Sequence, residues 1–137
     1  MGRIMTITNH LEEVPQMMSF VEDFCTDAGL DEMTILGLTL AMEEAVVNVV
    51  NYAYPEGTTG EIEMEVSSDD KALTFILRDR GKPFDPTTAK EVDITLSAEE
   101  RNIGGLGIHL IRNYMDVVKY EYCDGQNVLT LIKNKET

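Results

Sequence analysis

The chain has 137 residues and a formal net charge of −14 at pH 7; 43% of its residues are hydrophobic and 26% are charged. This length suits a single domain with a buried core. A chain this acidic repels phosphate backbones and anionic lipids, so the composition argues against direct binding to nucleic acid or to a membrane surface.

The first predicted elements are an edge strand and a helix. Residues 3–8 alternate weakly between apolar and polar side chains, which is typical of an edge strand. Apolar residues then recur at helical spacing over residues 11–25. Asn9 is predicted to cap this helix at its N-terminus, and Gly29 is predicted to end it.

A second helix and a β-hairpin follow. Asp31 is predicted to cap the helix, whose apolar residues share one face until the sequence Tyr-Pro-Glu-Gly at 54–57 stops it. The apolar residues Ile62, Met64 and Val66 alternate with glutamates, and a second apolar run covers residues 72–77 after a Ser-Ser-Asp-Asp turn. The two runs predict a half-buried hairpin.

The periodicity fails between residues 80 and 107, where prolines and glycines are frequent. A stretch of this length without regular structure is usually functional or disordered. Beyond it, the sequence predicts a third helix over residues 108–114 and a closing hairpin made by residues 117–122 and 128–132. This order predicts an α+β fold, with helices on one face of a mixed, mostly antiparallel sheet.

Two features of the sequence bear on the cellular compartment. Residues 1–10 hold no apolar segment of signal-peptide length, and we find no run that approaches the roughly 18 apolar residues of a spanning helix. Cys25 and Cys123 belong to no CxxC or Cys/His cluster, so two reduced structural thiols are favoured, with a disulfide left open. We therefore expect a soluble, cytoplasmic protein.

Three polar residues of the second helix carry the first functional signal. Glu44, Asn48 and Asn51 are spaced i, i+4, i+7, so they project from one stripe within roughly 60° of each other. Glu44 alone is equally well explained by a solvated face, but each mid-helix asparagine costs up to roughly 0.7 kcal/mol relative to alanine. Mg²⁺ takes few protein oxygens together with substrate phosphates, so the stripe favours a nucleotide-bound magnesium.

The second signal lies at the end of a predicted strand, in the sequence Asp-Arg-Gly-Lys-Pro-Phe-Asp-Pro at 79–86. These residue types are also common in a plain turn after an edge strand. However, the Asp79 carboxylate can accept a hydrogen bond from the amino group of adenine, and Gly81 lets a flat group approach the backbone. If buried, this carboxylate rejects guanine at a cost of about 1–3 kcal/mol.

The third signal is the sequence Gly-Gly-Leu-Gly at 104–107, which precedes the third predicted helix. Glycines at this position leave backbone N–H groups free to meet an anion, and the helix dipole adds to the attraction. The segment lacks the Lys-Ser/Thr of a P-loop and the third glycine of a dinucleotide fingerprint. Taken alone, it is better explained as a flexible loop that leads into a helix.

Taken together and in this order, the three segments resemble the motifs of a known ATPase superfamily. The sequence at 43–48 resembles the N box of the gyrase, Hsp90, histidine kinase and MutL (GHKL) ATPases, 79–84 their adenine box, and 105–107 their glycine box. Within this superfamily the chain is most similar to the anti-sigma-factor serine kinases. The resemblance implies a two-layer Bergerat-type sandwich, as one domain over residues 1–137, with an ATP lid around residues 86–104.

The resemblance also implies a role for each matching residue. Glu44 would be the catalytic base, Asn48 the magnesium ligand and Asp79 the acceptor for adenine. The implied ATP-binding set is Asn48, Asn51, Asp79, Gly81, Phe84, Gly104, Gly105, Leu106 and Gly107, with Lys90 and Arg101 of the lid as further candidates. An unperturbed glutamate is a weak base for a serine hydroxyl, so we expect catalysis to depend mainly on positioning and on the charge of the metal.

The leading hypothesis is a cytoplasmic serine/threonine protein kinase that uses ATP and Mg²⁺. By resemblance, it would phosphorylate a serine of a small antagonist protein of the STAS type, sequester a sigma factor and form a homodimer. Tyr52 stands where relatives often carry histidine, which puts the reaction rate in question more than binding. Two alternatives stay open: a non-catalytic, ATP-dependent binding switch, and an acidic interaction domain in which the three motifs are accidental.

Overall fold

The computed structural model describes residues 2–83 and 111–135, which form five strands and two α-helices. In the first part of the chain, the elements are β1 (Gly2–Thr8), a 3-10 turn (Leu11–Glu13), α1 (Val14–Asp27) and α2 (Glu32–Tyr52). The later strands are β2 (Glu61–Ser68), β3 (Ala72–Asp79), β4 (Val117–Cys123) and β5 (Gln126–Asn134). Residues 111–114 are also helical, which agrees with the part of the predicted third helix that lies within the described residues.

The strands form one sheet in the order β1-β2-β3-β5-β4, and all four pairings among them are antiparallel. β1 pairs with β2 alone within the described sheet, as predicted for an edge strand. Every second residue of β2 and β3 is buried, so one face of each strand is apolar. α1 and α2 pack on that face, which confirms the predicted α+β architecture with helices on one side of the sheet.

The core lies between the helices and the sheet. Phe24 of α1 and Phe75 of β3 meet edge to face, with ring centroids 5.7 Å apart and ring planes at 88°. Around this pair the packing combines apolar residues from both helices and from the three inner strands. The core thereby holds one side of α2 against the sheet, and the opposite side of α2 faces solvent.

The start of α1 differs from the prediction that Asn9 caps it. The N-cap position of α1 is Glu13, and a 3-10 turn separates the helix from Asn9. The Asn9 amide instead bonds to the loop before β2: its Nδ2 donates to the Thr58 carbonyl at 2.8 Å, and its Oδ1 accepts from the Gly60 N–H at 2.9 Å. These distant partners outcompete the local capping role because they satisfy both ends of the amide.

The predicted cap of α2, the predicted glycine after α1 and the predicted β4–β5 turn are confirmed. The Asp31 carboxylate accepts from the Thr34 N–H at 2.9 Å at the start of α2, and this interaction with Thr34 lowers the pKa of Asp31. Gly29 follows α1 with φ +85°, the left-handed conformation that suits glycine after a helix. Asp124 and Gly125 join β4 to β5 with positive φ at both positions, as the tightest hairpin turns require.

α2 has the length and the apolar composition of a membrane-crossing helix, with a mean hydropathy of 1.5. This corrects the expectation that no stretch approaches that size. Glu43 and Glu44 interrupt the apolar run in the sequence, although the average over the helix stays high. Part of α2 is buried against α1 and the sheet, and a core helix of a folded domain meets the same criterion.

Candidate functional site

The polar stripe of α2 lies outside the core, as the helical spacing predicts. Glu44 and Asn48 are half-buried and Asn51 is exposed, whereas Ala45 and Val46 beside them are buried. Within residues 2–83 and 111–135, the three polar side chains of the stripe make no hydrogen bond or ion pair. Their carboxylate and amide groups are therefore available to a ligand.

Asp79 ends β3 with its carboxylate on the helix side of the sheet, where the residue is only 4% exposed. Oδ1 accepts from the Gly81 N–H at 2.8 Å and from Nδ2 of Asn127 at 2.9 Å. Both hydrogen bonds that this carboxylate makes within the described chain fall on Oδ1, so Oδ2 keeps its capacity to accept. Burial raises the pKa of Asp79, and the donors on Asn127 and Gly81 oppose that rise.

Asn127 is a site residue that the sequence analysis missed. It lies on β5 directly opposite Asp79 in the strand register. Its Nδ2 also donates to the Lys82 carbonyl at 2.8 Å, and its Oδ1 accepts from the Tyr120 hydroxyl. The available signal was periodicity: Asn127 occupies the buried phase of β5, two residues before Leu129, where an apolar side chain is expected.

Gly81 packs against the C-terminal end of α2. A Cβ atom at this position would lie 2.2 Å from the carbonyl oxygen of Ala53, and the Lys82 N–H donates to that same oxygen at 2.9 Å. Ala53, the residue that follows α2, fills the space that a Cβ atom at Gly81 would need, so packing requires glycine here, and the predicted approach of a flat ligand stays a prediction. The loop after Asp79 is thus joined to the helix that carries Asn48.

A cavity of about 590 Å³ opens beside this junction, within the size range of small-molecule sites. Its lining comes from the end of α2, the loop before β2 and the loop after β3: Tyr52, Ala53, Tyr54, Pro55, Thr58, Thr59, Arg80, Gly81 and Lys82. Tyr54 braces the junction, because its hydroxyl accepts from the Arg80 N–H at 2.8 Å and donates to the Glu61 carbonyl. The described lining includes neither Asp79 nor Asn48, but it does include Arg80 and Gly81, which directly follow Asp79 in the chain.

A second cavity of about 510 Å³ includes Asn51 in its lining. It shares Tyr54 and Pro55 with the first cavity and extends towards Asn9 and Leu11. The C-terminal end of the polar stripe therefore borders an open concave surface, and the N-terminal end of the stripe lies two helical turns away.

The remaining predicted site residues lie outside the described residues, and so does the predicted lid at 86–104. They are Phe84, Lys90, Arg101, Gly104, Gly105, Leu106 and Gly107. Among residues 2–83 and 111–135, no group of three or more His, Cys, Asp or Glu side chains could hold a metal ion. The roles assigned to the site residues outside the described ranges stay predictions.

The chain is similar in sequence to known proteins over most of its length. The profile of the histidine kinase-like ATPase domain matches residues 7–133. The chain is 33% identical over 131 residues to the serine-protein kinase RsbW of Listeria monocytogenes, which covers 90% of this chain and 83% of that protein. It is 32% identical over 94 residues to the serine/threonine-protein kinase BtrW of Bordetella bronchiseptica, covering 69% of this chain and 66% of that protein.

A solved structure shares the fold. The RsbU and RsbW domains of Rv1364c from Mycobacterium tuberculosis superpose with a TM-score of 0.69 at 14% sequence identity. The match covers 100% of this chain and 34% of that longer one. At this identity the likeness shows the fold alone.

Proposed function

Because the chain belongs to the histidine kinase-like ATPase domain family, we propose that it is an ATP-dependent serine/threonine protein kinase of the anti-sigma-factor type. In this proposal the protein binds ATP with Mg²⁺ and phosphorylates a serine of a small STAS-type antagonist. It also sequesters a sigma factor, and it acts as a homodimer in the cytoplasm. The observation that carries the proposal is the buried Asp79 carboxylate, whose loop is joined through Gly81 and Ala53 to the helix bearing Glu44 and Asn48.

Recognition of adenine is assigned to Asp79. Its Oδ2 atom retains accepting capacity at a buried strand end, and the 6-amino group of adenine is a donor that matches it. A base with a 6-oxo group would place an acceptor against this carboxylate and leave a polar pair unsatisfied. The geometry therefore favours ATP over GTP as the phosphate donor.

The magnesium ion is assigned to Asn48 together with oxygens of the nucleotide phosphates. The Asn48 amide is half-buried and makes no hydrogen bond within the described chain. Its oxygen therefore suits a hard cation whose other ligands are mostly water and phosphate oxygens. When bound, the ion supplies positive charge beside the transferring phosphate. Asn51, one turn further along α2, is assigned to the phosphates or their waters.

Glu44 is assigned to the serine hydroxyl. It lies one helical turn before Asn48 on the same stripe, and its half-buried carboxylate has no partner within the described chain. A carboxylate in this position orients the hydroxyl and accepts its proton as the phosphate is transferred. The charge of −14 would also speed the encounter with a basic partner, such as the core-binding face of a sigma factor.

The decisive experiment compares the wild-type chain with Glu44→Gln, and uses Glu43→Gln as the matched control. Glu43 is the neighbouring acid of the same helix and is exposed. Each protein is incubated with γ-labelled ATP and Mg²⁺ in a lysate of the source organism, and ATP binding is measured separately by calorimetry. We expect the wild type and Glu43→Gln to label one small protein on serine, and Glu44→Gln to bind ATP without labelling it.

Two other outcomes would contradict parts of the proposal. Equal loss of binding and transfer in Glu44→Gln would contradict the role assigned to this carboxylate. Binding of ATP by the wild type without any labelled product, in a lysate in which a candidate antagonist is expressed, would favour the non-catalytic switch. If ATP with Mg²⁺ does not raise the melting temperature, the three motifs are accidental, since a ligand that binds the native state must stabilise it.

A further inference from the structure

Asp79 and Asn127 are the two polar side chains that the structure buries within residues 2–83 and 111–135, with exposures of 4% and 6%. They face each other across β3 and β5 and are joined by the hydrogen bond from Nδ2 to Oδ1. Buried polar groups are oriented by their hydrogen bonds because bulk water does not reach them. The partners of Asn127 therefore decide how the Asp79 carboxylate is presented.

Among the described residues, the contacts of the Asn127 amide fit one of its two orientations. Its Nδ2 donates to Oδ1 of Asp79 at 2.9 Å and to the Lys82 carbonyl at 2.8 Å, with the Gly81 carbonyl at 3.5 Å, and its oxygen accepts from the Tyr120 hydroxyl. Rotating the amide by 180° would set its oxygen against the carboxylate and the carbonyl, which are both acceptors. The contacts with Lys82 and Tyr120 thus hold the Asn127 amide in the orientation in which it donates to Asp79.

With the Asn127 amide held in this orientation, the two oxygens of the Asp79 carboxylate have different roles. Oδ1 receives two donors, from Asn127 and from the Gly81 N–H, and both favour the ionised form. Oδ2 makes no hydrogen bond within the described chain and is left to accept from a ligand. Such an oxygen pairs with an amino group at position 6 of a purine and rejects an oxo group there.

We propose that Asn127, held by Tyr120, is a positioning residue that makes the nucleotide site select a 6-amino purine through Asp79. The inference rests on the proposed function, because it takes Asp79 as the group that meets the base. Without the amide, the buried carboxylate would hold a proton more readily and could donate to a 6-oxo group. Loss of Asn127 should therefore weaken ATP binding and relax the choice of base together.

The test measures the binding of ATP and of inosine triphosphate (ITP), whose base has an oxo group at position 6, by calorimetry with Mg²⁺ present. For Asn127→Leu, which keeps the volume and removes the donors, we expect ATP binding to weaken about 10- to 100-fold and ITP binding to change much less. For Tyr120→Phe, which removes one hydroxyl, the preference for ATP over ITP should fall about 2- to 10-fold.

Tyr122→Phe is the matched control. It removes a hydroxyl from the same strand at a side chain that is 45% exposed and makes no hydrogen bond within the described chain, so it should bind both nucleotides like the wild type. If Asn127→Leu does not fold, Tyr120→Phe decides the question, because it leaves the Asn127 donors to Asp79 and Lys82 in place.

The outcomes separate this inference from the proposed function. If both nucleotides weaken equally in the two variants, or if stability alone falls, Asn127 has a purely structural role and the inference is overturned. If the wild type binds ATP and ITP equally, Asp79 does not read position 6, although ATP binding stands. If the wild type binds neither nucleotide, the proposed function fails and the inference fails with it.

Discussion

Replacing Gly81 by alanine tests whether this glycine serves the fold or only a ligand. The added Cβ would lie 2.2 Å from the Ala53 carbonyl oxygen and 2.5 Å from its carbon, both of them backbone atoms of the residue that follows α2. Ordinary contact begins at 3.4 Å, so the loop must withdraw by 3.4 − 2.2 = 1.2 Å. The backbone of Gly81 is not in the left-handed region, so the space, rather than the conformation, requires glycine.

The cost follows from the contacts that this shift disturbs. The hydrogen bond from the Lys82 N–H to the Ala53 oxygen, now 2.9 Å, would be stretched and lose about 0.5–1.5 kcal/mol. Overpacking strain at a tight contact adds about 1–3 kcal/mol. We therefore expect Gly81→Ala to lower the free energy of unfolding by about 2–4 kcal/mol without any nucleotide present.

Urea denaturation of the nucleotide-free protein measures this loss, and Gly57→Ala is the control. Gly57 has φ +82° and open space within 4 Å, so alanine there costs only the conformational penalty of about 1–2 kcal/mol. Comparison of the two variants separates a steric clash from backbone strain. If Gly81→Ala unfolds at the wild-type urea midpoint and yet loses ATP binding, the glycine serves the ligand and our reasoning from the α2 contact is refuted.

Two further predictions concern titratable groups. Burial raises the pKa of Asp79 above 3.8, so the folded state binds its proton more tightly than the unfolded chain, and this group's contribution to stability falls as the pH rises from 3.8 through the folded pKa. In urea titrations, Asp79→Asn should remove that part of the pH slope; an unchanged slope would contradict the burial argument. Burial also raises the pKa of Cys25 to about 12, so a thiol reagent should label the exposed Cys123 in the native protein and both cysteines in urea. Native labelling of Cys25 would show that its helix opens.

Features of the fold that depend on near neighbours could be predicted from the sequence. The Asp31 cap acts on an N–H three residues away, and the β4–β5 turn needs only the small residues Asp124 and Gly125. Asn9 was wrongly assigned as a cap because its real partners, Thr58 and Gly60, lie 49 and 51 residues along the chain. A capping pattern is read over a few residues, so it cannot reveal a competitor at that distance.

The same distinction between near neighbours and distant partners applies to the candidate site. The stripe of Glu44, Asn48 and Asn51 is a property of helical spacing, and the structure places it outside the core as expected. Asn127 could not be identified in this way, because its importance depends on which strand lies beside β3. The sequence placed it at the edge of a turn, whereas the register places it opposite Asp79.

The pairing of Asp79 with Asn127 also bears on how the sheet chooses its register. A shift of β5 by one residue against β3 would turn Asn127 to the opposite face and leave the buried Asp79 without its side-chain donor. A buried polar group that loses its partner costs about 1–3 kcal/mol, and more when it is charged, in addition to the exposure of Leu129 and Leu131. The observed register is therefore favoured by polar and apolar contacts together. The hydrogen bond that we propose to orient the Asp79 carboxylate towards a base thus also helps to align the strands that carry it. A substitution at Asn127 should therefore act on stability and on nucleotide choice, and only the choice between ATP and ITP distinguishes the two effects.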